Sequence, residues 1–413
     1  CLGTFLLKNN KYYFEYKAED GNGNHAVGVT QADTDVRSRD NSESAACFAG
    51  NGEFKIEGSS QTSGFVSWGN GDIVAVAIDT TLATPKVWFA VNNSWQAASG
   101  NSGVFNESGG YTLTAGKEYV FSADHGSGSS STTGTGFFGA HQGGFNYTPP
   151  SGFVAANASN LPNPTIKDGK KHFHTLFYSG TGGTHNVTGL DFDPDWVWGK
   201  NRDQTGYHHD LYDTVRGNNL RIFSSQTNAE QTGFLQFGVT GGFTLTAGGG
   251  ININGNNHVA WCWNGGTSTV TNTDGNISSQ VRANTTAGFS IVGYSGNGSN
   301  GQTVGHGLGV APDTIFLKSR TAGSNWRVWH HKLAADGSKR LLLDATNASE
   351  DAGFLNDTAP SSTVFTLGNS DNAWNESGGT YIAYVFSEVE GYSKFGKYVG
   401  NGNSNGTYVI TGF

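Results

Sequence analysis

Leu190-Asp191-Phe192-Asp193-Pro194-Asp195-Trp196-Val197-Trp198-Gly199-Lys200-Asn201-Arg202 returns 118 residues later as Leu308-Gly309-Val310-Ala311-Pro312-Asp313-Thr314-Ile315-Phe316-Leu317-Lys318-Ser319-Arg320. Each copy runs Pro-Asp, then an apolar segment too short for a helix, then Lys-x-Arg, which reads as a turn entering a strand. Working outward, Tyr178-Ser179-Gly180 answers to Tyr294-Ser295-Gly296, and Thr227-Asn228-Ala229 to Thr346-Asn347-Ala348. Phe243-Thr244-Leu245 answers to Phe365-Thr366-Leu367, and Val259-Ala260-Trp261-Cys262-Trp263 to Ile382-Ala383-Tyr384-Val385-Phe386. In that last pair the aromatics keep one face of a strand and the small or aliphatic residues keep the other. About seven short strands in roughly 115 residues suit a two-sheet antiparallel sandwich. The sequence therefore predicts homologous β-sandwich repeats over residues 166–287 and 288–396. Trp198 should superpose on Phe316, and Trp261 on Tyr384, as inward-facing core positions. Tyr398-Val399-Gly400-Asn401-Gly402 resembles Tyr294-Ser295-Gly296-Asn297-Gly298, so residues 397–413 read as the start of a third copy.

The composition agrees with an all-β chain. The 413 residues include 62 Gly, and only 14% are charged, which excludes coiled coils and long salt-bridged helices. Aromatics at 12% supply apolar area for burial and argue against disorder. A net charge of −9 with scattered Lys and Arg opposes binding to nucleic acid or anionic membranes. Cys1, Cys47 and Cys262 make no even framework and no CxxC pair, so neither disulfides nor a zinc site is expected, and folding in a reducing cytoplasm fits. There is no Met, so the expected natural chain has other termini; no signal peptide or membrane-spanning stretch is present in the sequence.

Residues 1–144 follow another pattern. Lys11-Tyr12-Tyr13-Phe14-Glu15-Tyr16 opens a strand, and Trp68-Gly69-Asn70-Gly71-Asp72 turns into Ile73-Val74-Ala75-Val76-Ala77-Ile78-Asp79. Lys86-Val87-Trp88-Phe89-Ala90-Val91 then precedes an Asn92-Asn93 turn and Trp95, and Phe137-Phe138-Gly139 follows a Gly/Ser/Thr-rich stretch over 126–136. This order resembles the SPRY domain, a concanavalin-like β-sandwich. Residues 145–165, with Pro149-Pro150, Pro162 and Pro164, read as an extended connector. The whole arrangement resembles repeat-bearing virion or tail-associated proteins of tailed bacteriophages, in which a SPRY-like module precedes such repeats. That resemblance implies a structural or adhesive role in the virion, with the protein made in the host cytoplasm.

Several residue patterns carry possible chemistry. Asp191, Asp193 and Asp195 alternate as Ca²⁺ ligands would, but the second copy keeps only Pro312-Asp313, which favours a turn. His172 and His174 share a face, and His208-His209 and His330-His331 are adjacent, yet the copies do not repeat them, which favours loop histidines over zinc. Lys200 with Arg202, Lys318 with Arg320, and Arg221 with Arg340 are matched; they form either a cationic face for an acidic glycan or subunit, or ion pairs with Asp195 and Asp313. Glu230 and Glu350 lie near matched Asn-Ala turns with no second acid in fixed relation, and no nucleophile or phosphate-binding motif occurs. Tyr207, Trp326 and Trp95 sit beside Gly- or Asn-containing turns and are the ligand-binding candidates, since aromatics stack on sugar rings; buried core is the competing reading.

The expected function is a non-enzymatic bacteriophage virion protein: a fibre, tail-associated or capsid-decorating subunit, without cofactor or metal. Its expected partners are other virion subunits, further copies of itself in a homo-oligomer, and host surface glycan. A surface or secreted lectin-like adhesin is the rival among binding proteins, and a tailspike polysaccharide depolymerase the rival among enzymes.

Overall fold

A computed structural model describes residues 6–19, 25–32, 44–48, 54–61, 66–96, 103–125, 133–139, 144–161, 163–351, 353–400, 402, 404, 409 and 411. The protein is all-β with a few 3-10 turns, and among the described residues no helix is long and apolar enough to cross a membrane. The chain divides into two compact units, 1–163 with 398–413, and 164–397.

In the first unit, β1 (Lys11–Ala18), β6 (Ile73–Asp79), β7 (Lys86–Val91), β8 (Ser94–Gln96) and β11 (Gly134–Phe137) form a sheet in the order β11-β1-β6-β7-β8. Beside it, β9 (Tyr111–Thr112) pairs with β7, and β12 (Val154–Ala155) runs parallel to β1. The opposing sheet has the order β10-β2-β3-β4-β5, with β2 (His25–Gln31), β3 (Ser44–Phe48), β4 (Phe54–Ile56), β5 (Ser59–Gln61) and β10 (Tyr119–His125). Alternation sends Tyr12, Phe14, Tyr16, Val76 and Phe89 from one sheet against Val27, Val29, Phe54, Tyr119 and Phe121 from the other. Asn92 and Asn93 turn β7 into β8 at φ of 48° and 65°, a left-handed pair that short polar side chains tolerate.

The expected connector is part of this unit. Phe153 is buried with Tyr13, Trp88 and Trp95 on the outer face of the β1 sheet. Buried Glu15 accepts the backbone N–H groups of Asn146 and Tyr147 at 2.7 and 2.9 Å and the Tyr13 hydroxyl at 2.7 Å. The unit boundary therefore falls at 163/164, because the buried carboxylate and the short β12–β1 pairing hold the Pro-rich backbone in the first unit. Residues 126–132 of the Gly/Ser/Thr stretch, and most of the expected third copy, lie outside the described residues.

The second unit holds the repeats. In the first copy, β13 (Phe173–Ser179), β21 (Asn257–Trp263), β15 (Trp196–Asn201), β16 (Asp210–Asp213), β17 (Leu220–Phe223) and β18 (Gln231–Thr232) form a sheet in that order. It is backed by β14 (His185–Thr188), β20 (Gly242–Leu245) and β19 (Leu235–Val239). The second copy repeats the order with β24 (Phe289–Ser295), β31 (Thr380–Phe386), β26 (Thr314–Ser319), β27 (Arg327–His330), β28 (Lys339–Leu342) and β29 (Glu350–Asp351), backed by β25 (Gln302–Gly305) and β30 (Val364–Leu367). β22 (Val270–Asn272) and β23 (Ser279–Asn284) add to the outer edge of β24, so they belong to the second copy's sheet and the boundary expected at 287/288 moves upstream.

Register confirms the strand equivalence, since Trp198 lies opposite Trp261 and Phe316 opposite Tyr384. Their orientation corrects the expectation. Each copy's own core takes the small or aliphatic face, with Val197, Ala260 and Cys262 in the first and Ile315, Ala383 and Val385 in the second. The aromatic faces point the other way: Trp198, Phe316 and Tyr384 join a cluster that the two copies share, and Trp261 packs beside it against Trp198 and His209. Period-2 alternation shows which residues share a face, but a sheet covered on both sides hides which face is its own core.

Asp195 and Asp313 shape matched turns. Their amides donate to Trp263 O and Phe386 O, each at 2.8 Å, and their Oδ2 atoms accept the N–H of Gly265 at 2.8 Å and Glu388 at 2.6 Å. The Pro-Asp element is thus a strand-entry device.

Candidate functional site

Three of the polar residues that the sequence singles out, Lys318, Arg320 and Glu230, meet at the seam between the copies. Trp196 of the first copy is fully buried and stacks on Tyr384 of the second, with centroids 4.2 Å apart and planes at 20°. Phe289, Ile291 and Ile382 complete the apolar part from the second copy, Leu211 and Ile222 from the first. At its margin the Tyr384 hydroxyl donates to Asp213 at 2.8 Å. Arg216 pairs with the same carboxylate and with Glu230 at 3.2 Å. Burial works against the Arg216 charge, but Asp213, Tyr384 and Glu230 more than offset it and hold the guanidinium above its ordinary value. Burial likewise raises the Tyr384 hydroxyl well above its usual range, with Asp213 adding to the effect.

The matched lysines grip backbone, and the matched arginines meet side chains. Lys318 is fully buried, and its ammonium donates to Thr227 O of the first copy at 2.9 Å and to Ser324 O. Desolvation pushes its pKa down to about 8. Arg320 pairs with Glu230 at 2.8 Å. In the first copy Lys200 donates to Tyr207 O at 2.5 Å, while Arg202 lies 5.1 Å over the Phe177 ring. Arg221 pairs with Asp210 and Arg340 with Glu350. None of these matched cations reaches Asp195 or Asp313, which pair instead with Arg282 and His331. The expected ion pairs are therefore replaced: the turn carboxylates are taken by other strands, and the lysines cap loop carbonyls.

The three ligand-binding candidates separate. Trp326 has no exposed surface, lies parallel to Tyr384 with centroids 6.2 Å apart, and donates its indole N–H to Phe223 O of the first copy at 2.7 Å. Trp95 is buried edge-on against Phe105. Both are corrections: a ligand has no face of either ring to reach, because the neighbouring copy covers one and the 144–156 segment helps to cover the other. Tyr207 is half-buried against Gly250 and keeps part of its ring at the surface. Among the histidines, His209 accepts the Trp198 indole N–H at 2.9 Å, and His208 meets Gln226 at 2.7 Å.

The seam rests on Asp213, Arg216 and Tyr384, of which self-comparison marked only Tyr384, and that as core. Asp213 and Arg216 have no like residue in the other copy, so a search for shared residues passes over them.

A family described as Domain of unknown function (DUF7483) matches residues 168–413. The chain belongs to that family. The DUF7483 region thus takes in both copies and their seam. Solved structures similar to this chain include the SPRY domain of human HERC1, at 18% identity over 29% of this chain and 71% of that one, with a TM-score of 0.21. A human SPRY domain is similar at 19% identity over 29% of this chain and 81% of that one, also with a TM-score of 0.21. No curated protein matches the chain.

Proposed function

We propose that this protein is a non-enzymatic structural subunit of a tailed-bacteriophage virion, in a fibre, tail-associated or capsid-decorating position, where it assembles with other virion subunits and contributes adhesion to host surface glycan. The observation that carries the reading is what the second copy's polar groups hold: Lys318, Arg320 and Trp326 all bond the neighbouring copy. Groups spent on joining one sandwich to the next are spent on rigidity and assembly. The resemblance of the chain to repeat-bearing virion proteins supplies the setting.

Adhesion needs little from a single site, because many copies on one particle raise avidity by about 10²–10⁴ when geometry allows. Tyr207, half-buried in the β15–β16 loop, is the aromatic candidate that keeps surface for stacking on a sugar. Incubation of the protein with host envelope polysaccharide, following bound fraction and chain length together, tests the reading. Weak binding with unchanged chain length is expected; shortening of the polysaccharide would overturn it in favour of a depolymerase.

A further inference from the structure

The seam joins unlike surfaces. The second copy contributes Phe316, Lys318, Arg320, Trp326 and Tyr384, and the first contributes Asp213, Ile222, Phe223, Thr227 and Glu230. Since both copies are one fold, each also carries its own version of the surface that it does not use. Strand register places Trp198, Lys200 and Trp261 of the first copy where the second has Phe316, Lys318 and Tyr384. It places Leu341 and Leu342 of the second copy where the first has Ile222 and Phe223.

These unused versions are open. Leu341 is 37% exposed, whereas its counterpart Ile222 is 0% exposed under the second copy. Trp261 is half-buried and lies outside the shared cluster, whereas its counterpart Tyr384 is fully buried within it. Phe177, on the same face of β13 as the partners of Trp261, is 67% exposed. We propose that the Leu341 face of one molecule docks on the Trp261 face of a second molecule of this chain, repeating between chains the contact that joins the copies within it.

The chemistry of the two faces is complementary. Lys200 brings the ammonium that Lys318 brings, and Thr346 in the repeated Thr-Asn-Ala turn offers the carbonyl that Thr227 offers. Arg202 stands for Arg320, with the exposed Glu350 one residue past the position that matches Glu230. Phe177 occupies the place of Gly293, which lies against Val215, and the residue matching Val215 is the exposed Lys332, so a cation meets a ring. Trp326 is replaced by His209 and Asp213 by His330, so the contact between chains lacks two of the internal hydrogen bonds and is reversible. A contact between unlike faces extends head to tail, into a ring where the rotation closes and into a filament where it does not.

This inference deepens the reading of the protein as an assembling subunit and rests on that part of it; a failure here would leave the polysaccharide result untouched. Sedimentation velocity of the full chain over rising concentration is expected to show a weight-average mass that climbs past the dimer. Leu341→Asp and Phe177→Asp, both at exposed positions, should each abolish the climb, and an equimolar mixture of the two variants should form a 1:1 dimer and nothing larger. The mixture also reports that both variants are folded. A wild-type monomer at every concentration, association undisturbed by either substitution, or two blocked variants that fail to complement each other would each overturn the proposal.

Discussion

The Tyr384 hydroxyl, on the central β31 of the second copy, donates a 2.8 Å hydrogen bond to Asp213 at the end of β16 in the first. That bond ties together two sandwiches whose apolar faces already meet through Trp196. The polar margin does more than satisfy itself: it fixes the lateral offset at which one aromatic face lies on the other.

Arg216 should be the most sensitive polar residue of the seam. Arg216→Met leaves the Asp213 carboxylate buried without its cation, a change that typically costs about 3–5 kcal/mol. Tyr384→Phe removes one hydrogen bond to that carboxylate and should cost about 1–3 kcal/mol. The double variant Asp213→Leu with Arg216→Met should recover much of the single loss. Urea denaturation of the four proteins measures all three effects, and equal losses for Arg216→Met and Tyr384→Phe would contradict the account.

Lys318 predicts a pH dependence of definite sign. Its folded pKa is near 8 and its unfolded value is near the ordinary 10.5 for lysine, so between those values the unfolded chain binds more protons. Stability from this group is therefore fully present above about 10.5 and is lost as pH falls toward 8. Denaturation midpoints of wild type and Lys318→Met, compared from pH 7 to 10, should show the wild type gaining on the variant above pH 8. A constant difference would mean that the ammonium is not held in a desolvated site.

Much of this was legible in the sequence. The repeated Pro-Asp turn, the strand pairs through Trp198 and Trp261, and the Asn92-Asn93 turn follow from local chemistry and alternation, which the structure preserves. The seam was not legible, because Asp213 meets Tyr384 across 171 residues of sequence and Asp213 has no like residue in the other copy. The burial of Trp326 was hidden for the same reason: its Asn-Trp setting looks like an exposed turn until the other copy's Phe223 carbonyl arrives at its indole.

Trp326 and Tyr207 should behave in opposite ways. Trp326→Ala empties a fully buried site and removes the hydrogen bond to Phe223 O, so a loss of about 3–5 kcal/mol is expected. Tyr207→Ala should leave the denaturation midpoint nearly unchanged and lower the fraction of glycan bound. Thermal melts with a polysaccharide binding assay separate the two; a Trp326→Ala protein of full stability would contradict its placement.

Glu15 should control the 144–156 segment. Glu15→Ala leaves the amides of Asn146 and Tyr147 and the Tyr13 hydroxyl without their acceptor, and the cover over Phe153 should loosen. Limited proteolysis is expected to cut the variant within 144–156 under conditions that leave the wild type whole. Identical cleavage patterns would show that the carboxylate does not hold the segment.

The central claim, a structural subunit of the virion, is tested most directly by locating the chain in the assembled particle. Immunogold labelling of intact, purified virions with an antibody to residues 164–397 should decorate a repeating position on the tail or head, and the protein should be recovered from the same particles in multiple copies. Absence of the chain from purified particles, with the protein found free in the lysate, would contradict the account.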